Sequence, residues 1–76
     1  MNAQRRKEIQ KAIALIEEAR TILDYVAEEE REAYDNLPES LQYSERGERM
    51  EEIADTIESV CSELEDQVSE LEGALE

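Results

Sequence analysis

Two acidic segments contain the side chains whose types and spacing could bind a metal ion. Residues 28–32 read Glu-Glu-Glu-Arg-Glu, an E-E-x-x-E pattern, and residues 52–55 read Glu-Ile-Ala-Asp, an E-x-x-D pattern. Side chains three and four residues apart are neighbours on a helix surface. Carboxylate oxygens are ligands that Mg²⁺ prefers, usually together with substrate phosphates. The two segments are therefore the first candidates for a catalytic site.

The order of these segments resembles the magnesium-ligand motif of the all-helical nucleotide pyrophosphohydrolases, which also carry it on antiparallel helices. The resemblance implies Mg²⁺-dependent hydrolysis of nucleotides. On a helical wheel, however, both segments point away from the apolar stripes of their helices, so their carboxylates are not expected to converge. With 22 acidic residues among 76, such spacings also arise by chance, and no lysine follows residue 11 to hold a phosphate. We predict that the protein is not an enzyme and keep the pyrophosphohydrolase as an alternative.

The cysteine and histidine content excludes several other kinds of site. The chain has one Cys and no His, so it cannot assemble a zinc site or an internal disulfide. Cys61 would need a basic partner to act as a nucleophile, and its spacing places it beside a helical seam, where a small core residue is expected. There is no calcium-binding loop and no Gly-rich phosphate loop. We predict no catalytic residue, no metal and no cofactor.

Charge is distributed very unevenly along the chain. Residues 1–20 carry five basic and three acidic side chains, whereas residues 21–76 carry three basic and nineteen acidic ones. Such a surface repels nucleic acid and anionic membranes, so we predict direct binding to neither. It favours a partner protein with a basic surface, such as one that normally binds DNA. The alternative interpretation is that the Glu-rich faces serve solubility. The predicted contact residues on this acidic side are Glu51, Glu52, Asp55 and Glu58.

Apolar residues recur at helical spacing on both sides of a central turn. Before the turn they form one wide stripe, and residues 1–36 contain neither Gly nor Pro. After the turn, one row repeats every seven residues from Met50, a second repeats from Ile53, and a row from Ala54 flanks them, which is the signature of coiled-coil packing. The residues predicted for the core or a dimer interface are Ile9, Ile13, Ile16, Leu23, Val26, Met50, Ile53, Ile57, Val60, Leu64, Val68 and Leu71.

These stripes predict an all-α fold, a long antiparallel helical hairpin in a single domain. We expect a helix over 3–36, a turn over 37–44 and a helix over 45–75, with Ser44 as the N-cap of the second helix. Folding back also brings basic residues 5–11 beside the acidic end of the second helix. Because one hairpin cannot cover its own wide stripe, we predict a homodimeric four-helix bundle. A partner's helices supplying the other half is the alternative.

The turn, residues 34–48, allows two interpretations. Pro38 ends the first helix, and Asn36 tolerates a left-handed conformation or caps the next turn. In the first interpretation, four side chains close the end of the bundle: Tyr34, Leu37, Leu41 and Tyr43. Alternatively, Tyr34, Tyr43, Arg46 and Arg49 project as a contact patch, because Tyr and Arg are frequent binding hot spots.

The turn also carries a resemblance. Asn36 to Gln42, NLPESLQ, followed by Ser44 to Glu48, SERGE, resembles the turn of small acidic helical-hairpin proteins of phages and prophages. This resemblance implies a phage-type origin and a hairpin fold, but no particular activity. From the acidic helical face we predict an interaction protein that binds and modulates a host protein, for example as an inhibitor of host defence or a nucleic-acid mimic. The alternative is a structural or assembly scaffold. No apolar run approaches the ~20 residues of a membrane span, so we predict a cytoplasmic protein, in the bacterial host if it is phage-encoded.

Overall fold

A computed structural model describes all 76 residues and contains three helices. Helix α1 runs from Ala3 to Asp35, the short α2 from Glu39 to Gln42, and α3 from Glu45 to Leu75. The long helices α1 and α3 pack against each other and α2 lies in the connection. The predicted all-α fold, a long helix pair, is confirmed.

Side-chain caps determine where the long helices begin. The Asn2 side chain accepts a hydrogen bond from the Arg5 backbone N–H at 2.8 Å, and the Ser44 hydroxyl accepts one from the Gly47 N–H at 3.3 Å. Each cap satisfies a backbone donor that the first helical turn leaves free. At the end of α1, Asn36 has φ −83° and ψ −7°. Of the two alternatives for Asn36, the left-handed conformation is therefore wrong, since the residue is the C-cap of α1 and continues the right-handed helical geometry.

The helix seam uses a different row of α3 from the one expected. The buried α3 residues recur every seven positions at Gly47, Ala54, Cys61 and Val68, which is the row that the sequence analysis placed on the flank. In contrast, Ile53 is half-buried and Val60 exposed. The assignment of the Ile53 row to the hairpin seam is thus corrected. Small side chains let the two backbones approach, so the Ala54 row faces α1.

The hairpin is long and its core is thin. Its extents are 58 × 15 × 13 Å, and its buried apolar residues are Ala27, Ala54, Cys61 and Val68. Larger apolar residues such as Leu23 and Leu64 are half-buried. Neither long helix has the length of uncharged, apolar sequence that crossing a membrane would take.

Candidate functional surfaces

Arg31 joins the two acidic segments across the hairpin. Its Nε donates to one oxygen of Glu58 and its Nη2 to the other, both at 3.0 Å, and Nη2 also pairs with Asp55. The bidentate pair holds the pKa of the Glu58 carboxyl below its ordinary value, and both carboxylates raise the pKa of the Arg31 guanidinium. This fork-to-fork geometry fixes the two helices relative to each other.

A second arginine links the helices nearer the open end of the hairpin. Arg20 lies 3.0 Å from Glu17 and from Asp24 on its own helix, and 3.1 Å from Glu65 on α3. Cys61 packs beneath it, with Sγ 3.9 Å from the Arg20 carbonyl oxygen. Burial raises the pKa of the Cys61 thiol, so the thiol stays neutral at pH 7 and the residue fills space in the seam.

The two arginines define one side of the hairpin, which we call the acidic side. Arg31 and acidic side chains line two shallow grooves on it, and acidic side chains of α3 line a third. Of the predicted contact residues, Asp55 and Glu58 form ion pairs with Arg31. Glu52 lies 3.6 Å from Arg49. Glu51 has no cationic partner. The acidic side comprises Glu28, Glu32, Glu48, Glu51, Glu52, Asp55 and Glu58.

The carboxylates of the two acidic segments do not converge on a metal site. Nowhere in the chain do three or more His, Cys, Asp or Glu side chains come close enough together to hold a metal ion. Where the segments meet, the Arg31 guanidinium lies between Asp55 and Glu58. The arrangement therefore neutralises two of the carboxylates instead of directing them at a common point.

The turn is held by a glutamine and a glycine whose roles were not predicted. The Gln42 Nε2 donates to the carbonyl oxygens of Tyr34 and Leu37, both at 3.2 Å, and so satisfies acceptors at the end of α1. A Cβ at Gly47 would lie 2.5 Å from the Leu41 carbonyl oxygen. The backbone of α2 thus rests directly on the first turn of α3. Gly47 belongs to the same seven-residue row as Ala54, which is the sequence signal for its burial.

The aromatic residues of the turn have divided roles. Tyr34 is half-buried, and burial followed by the nearby Glu51 carboxylate raises the pKa of its hydroxyl. Tyr43 is 76% exposed, and Arg46 and Arg49 are exposed on the first turns of α3. Tyr34 therefore packs at the turn end of the seam. Tyr43, Arg46 and Arg49, the exposed residues of the predicted contact patch, are called the projecting patch.

Opposite the acidic side lies an uncovered apolar face. It consists of Leu15, Ile22 and Val26 on α1 with Ile53 and Val60 on α3, and Leu15 and Ile22 are 58% and 61% exposed. Smaller residues, Ala12, Ala19 and Ala33, continue it along α1.

Helical geometry places the acidic side and the apolar face about half a turn apart. At 100° per residue, nine residues amount to two and a half turns. Leu15 and Asp24 are nine residues apart, as are Ile22 and Arg31. On α3, Val60 follows Glu58 by two residues, about 200°. Since the arginine bridges occupy one side of the helix pair, the apolar residues of both helices share the other.

The basic residues at the open end remain largely unused. Only Arg6 crosses to α3, where its guanidinium donates to the Leu75 carbonyl oxygen, and none of Arg5, Arg6, Lys7 or Lys11 takes part in an ion pair. The basic segment thus lies beside the end of α3, as predicted, but it forms no ion pair with the acidic side chains there. The ion pairs between the helices lie further along, at Arg20 and Arg31.

Comparison with protein-family models, with curated proteins and with solved structures finds no match to this chain.

Proposed function

We propose that this chain is a non-enzymatic interaction protein of the phage type, which binds a basic surface of a host protein through its acidic side. The observation that carries the proposal is the fixed arrangement of carboxylates on that side. Arg31 and Arg20 tie α1 to α3, so the acidic rows of the two helices are held in register before any partner arrives. A partner would therefore meet two acidic helices that are already aligned, which avoids the entropy cost of ordering them relative to each other on binding.

The proposed partner is a host protein with a basic surface. It either normally binds nucleic acid through that surface or takes part in host defence. Six acidic side chains of the whole chain lie in ion pairs, and sixteen of the 22 are left to attract cations. Attraction between exposed charges acts over about 10 Å at 0.1 M salt and is screened at higher salt. Binding through the acidic side is therefore expected to be fast, specific for cationic surfaces and sensitive to salt.

The test uses a triple substitution that leaves every ion pair intact. Glu28→Gln, Glu48→Gln and Glu51→Gln together remove three charges from the acidic side, while Asp55 and Glu58 keep their contacts with Arg31. The matched control, Glu63→Gln, Glu70→Gln and Glu72→Gln, removes the same charge at the open end. At 50 mM salt, the immobilised wild-type and control proteins are expected to retain a host protein from bacterial lysate. The variant with the three acidic-side substitutions is expected not to retain it.

Two further measurements distinguish this proposal from other kinds of capture. Retention is expected to vanish at 0.5 M salt, and an excess of duplex DNA is expected to elute the captured protein, because both would occupy the same basic surface. Equal retention by the acidic-side triple and the control would refute the acidic side as the contact.

The projecting patch of the turn is the second candidate site. The exposure of Tyr43, Arg46 and Arg49 favours it, because Tyr and Arg are frequent binding hot spots. Tyr43→Ala and Arg46→Ala are expected to leave binding intact if the acidic side is the contact. A loss of about tenfold or more in affinity in these variants, with helicity unchanged, would move the site to the turn.

A further inference from the structure

The surface area of the hairpin points to a missing neighbour. A compact folded chain of 8.8 kDa is expected to expose about 4,800 Å², and this chain exposes 5711 Å². Its radius of gyration, 17.3 Å, likewise exceeds the roughly 11 Å of a compact domain of this length. The excess area, about 900 Å², is close to the ~800 Å² per partner that a standard protein interface buries.

The apolar face is where that neighbour would lie. Seven-residue rows on both long helices form the face, and the row of α1 that contains Ala12, Ala19 and Val26 combines small and branched residues. Alanines at such positions allow a facing helix to approach closely, and the exposed Leu15 and Ile22 can fill the spaces between its side chains. The face therefore fits another pair of helices better than an irregular loop.

We propose that the apolar face is covered by a second copy of this chain in antiparallel orientation, so that each turn lies beside the open end of the other hairpin. A twofold axis near Ala19 would bring the apolar residues of the two α1 helices together. The same axis would place basic residues 5–11 of one copy beside the acidic run 28–32 of the other. The arrangement is an isologous interface, in which two copies of the same chain contact each other through the same surface.

The distribution of charge decides the orientation. Residues 21–61, the half of the hairpin nearer the turn, contain thirteen acidic and three basic side chains, a net charge of −10. Residues 1–20 and 62–76, the open half, contain nine acidic and five basic ones, a net charge of −4. A parallel pair would place the two turn halves, each with a net charge of −10, beside each other. An antiparallel pair places the turn half of one copy, at −10, beside the open half of the other, at −4. Antiparallel packing therefore reduces the repulsion and uses the basic residues that the hairpin leaves unpaired.

The first test is the mass in solution at micromolar concentration, by sedimentation equilibrium. We expect twice the chain mass of 8.8 kDa. Ile22→Glu is expected to weaken the dimer by about 100-fold or more, since an unpaired carboxylate is costly to bury. Thr21→Glu adds the same charge one residue away and is expected to leave the dimer intact. A folded wild-type monomer, a larger oligomer, or an unfolded chain that needs a different protein to fold would overturn the proposal, as would equal effects of the two variants.

The second test measures orientation in the folded dimer and does not depend on the substitutions in the face. A spin label is attached at Tyr43→Cys, with Cys61→Ala removing the native thiol, because Tyr43 lies at the tip and is highly exposed. In a 58 Å hairpin, an antiparallel dimer is expected to separate the two labels by about 40 Å or more, from the helical rise along the axis. A separation below about 25 Å would show parallel hairpins and overturn the proposed orientation.

Discussion

At the scale of single residues, Gly47 shows most directly how the turn constrains the chain. Any side chain at this position would meet the backbone of α2, with the Cβ 2.5 Å from the Leu41 carbonyl oxygen and nearer still to that of Gln42. These are backbone atoms and cannot swing aside. Gly73 also lies in α3, but a Cβ there would have nothing within 4 Å. Replacing each glycine by alanine therefore separates the effect of packing on stability from the effect of helix propensity.

We expect Gly47→Ala to destabilise the fold and Gly73→Ala to stabilise it. At Gly47 a forced backbone shift costs about 1–3 kcal/mol, which outweighs the ~1 kcal/mol that Ala gains in helix propensity. At Gly73 only the propensity gain remains, up to about 1 kcal/mol. Urea unfolding followed by circular dichroism measures both changes. Stabilisation by Gly47→Ala would mean that α2 does not rest on α3.

Residue-level chemistry was predictable from the sequence only where it depends on neighbours along the chain. The Ser44 cap is a local feature, and the structure confirms it. The contact of Arg31 with Asp55 was missed because it joins residues 24 positions apart, and that of Gln42 with Tyr34 because it spans 8 positions across the turn. Long flexible side chains reach several acceptors, so their partners are determined by the register of the two helices rather than by spacing along one of them.

At the scale of the elements, the heptad pattern of α3 is ambiguous in a way that the structure explains. The rows starting at Ile53 and at Ala54 each complete an alternating spacing of three and four with the row starting at Met50. Periodicity therefore predicts the helix and its apolar side but cannot choose the row that faces α1. In the structure the Ala54 row lies in the seam. The Ile53 row is left for the apolar face, so the two rows supply two packing surfaces on one helix.

The connection between the elements depends on Gln42. Its amide donates to two carbonyl oxygens at the end of α1, and a helix end leaves such acceptors without intrahelical partners. Gln42→Glu keeps the shape of the side chain but replaces the donor by an acceptor. We expect a loss of about 1–2 kcal/mol in the free energy of unfolding.

The matched control for this substitution is the exposed Gln67 on α3. Gln67→Glu makes the same chemical change away from the turn and is expected to alter stability by less than about 0.5 kcal/mol. Thermal unfolding measures both variants. Equal effects of the two substitutions would show that the hydrogen bonds of Gln42 contribute nothing.

At the scale of the whole molecule, shape and charge connect the two proposals. A net charge of −14 along 58 Å corresponds to one negative charge per 4 Å or so. Duplex DNA carries one per about 1.7 Å of its axis. Two hairpins side by side would carry one negative charge per roughly 2 Å of their length, which is close to the charge density of DNA. Dimerisation through the apolar face would thus leave the acidic sides outward and bring their charge density near that of a nucleic acid.

The same charge makes the stability of the molecule depend on pH in two opposing ways. Acidification from pH 7 protonates carboxylates and relieves the self-repulsion of a highly charged chain. The Arg31–Glu58 pair acts in the other direction. Because Arg31 lowers the pKa of Glu58 from its ordinary value of 4.5, the folded state binds this proton less readily than the unfolded state does. The pair therefore contributes stability above pH 4.5 and loses it as the pH falls through the lowered pKa.

Glu58→Gln isolates this contribution when it is compared with Glu63→Gln, which removes the same charge from a residue outside any ion pair. At pH 6 we expect Glu58→Gln to be the less stable of the two, because it alone loses the bidentate contact with Arg31. As the pH falls below 4.5, Glu58 of the Glu63→Gln protein becomes protonated and its ion pair with Arg31 weakens. The difference in the free energy of unfolding between the two variants is therefore expected to shrink towards zero. Urea unfolding of both variants at intervals from pH 7 to pH 3 provides the measurement. A difference that stays constant across this range would show that the Arg31–Glu58 pair does not hold the hairpin together, and the acidic side would then lack the preorganisation on which its proposed binding depends.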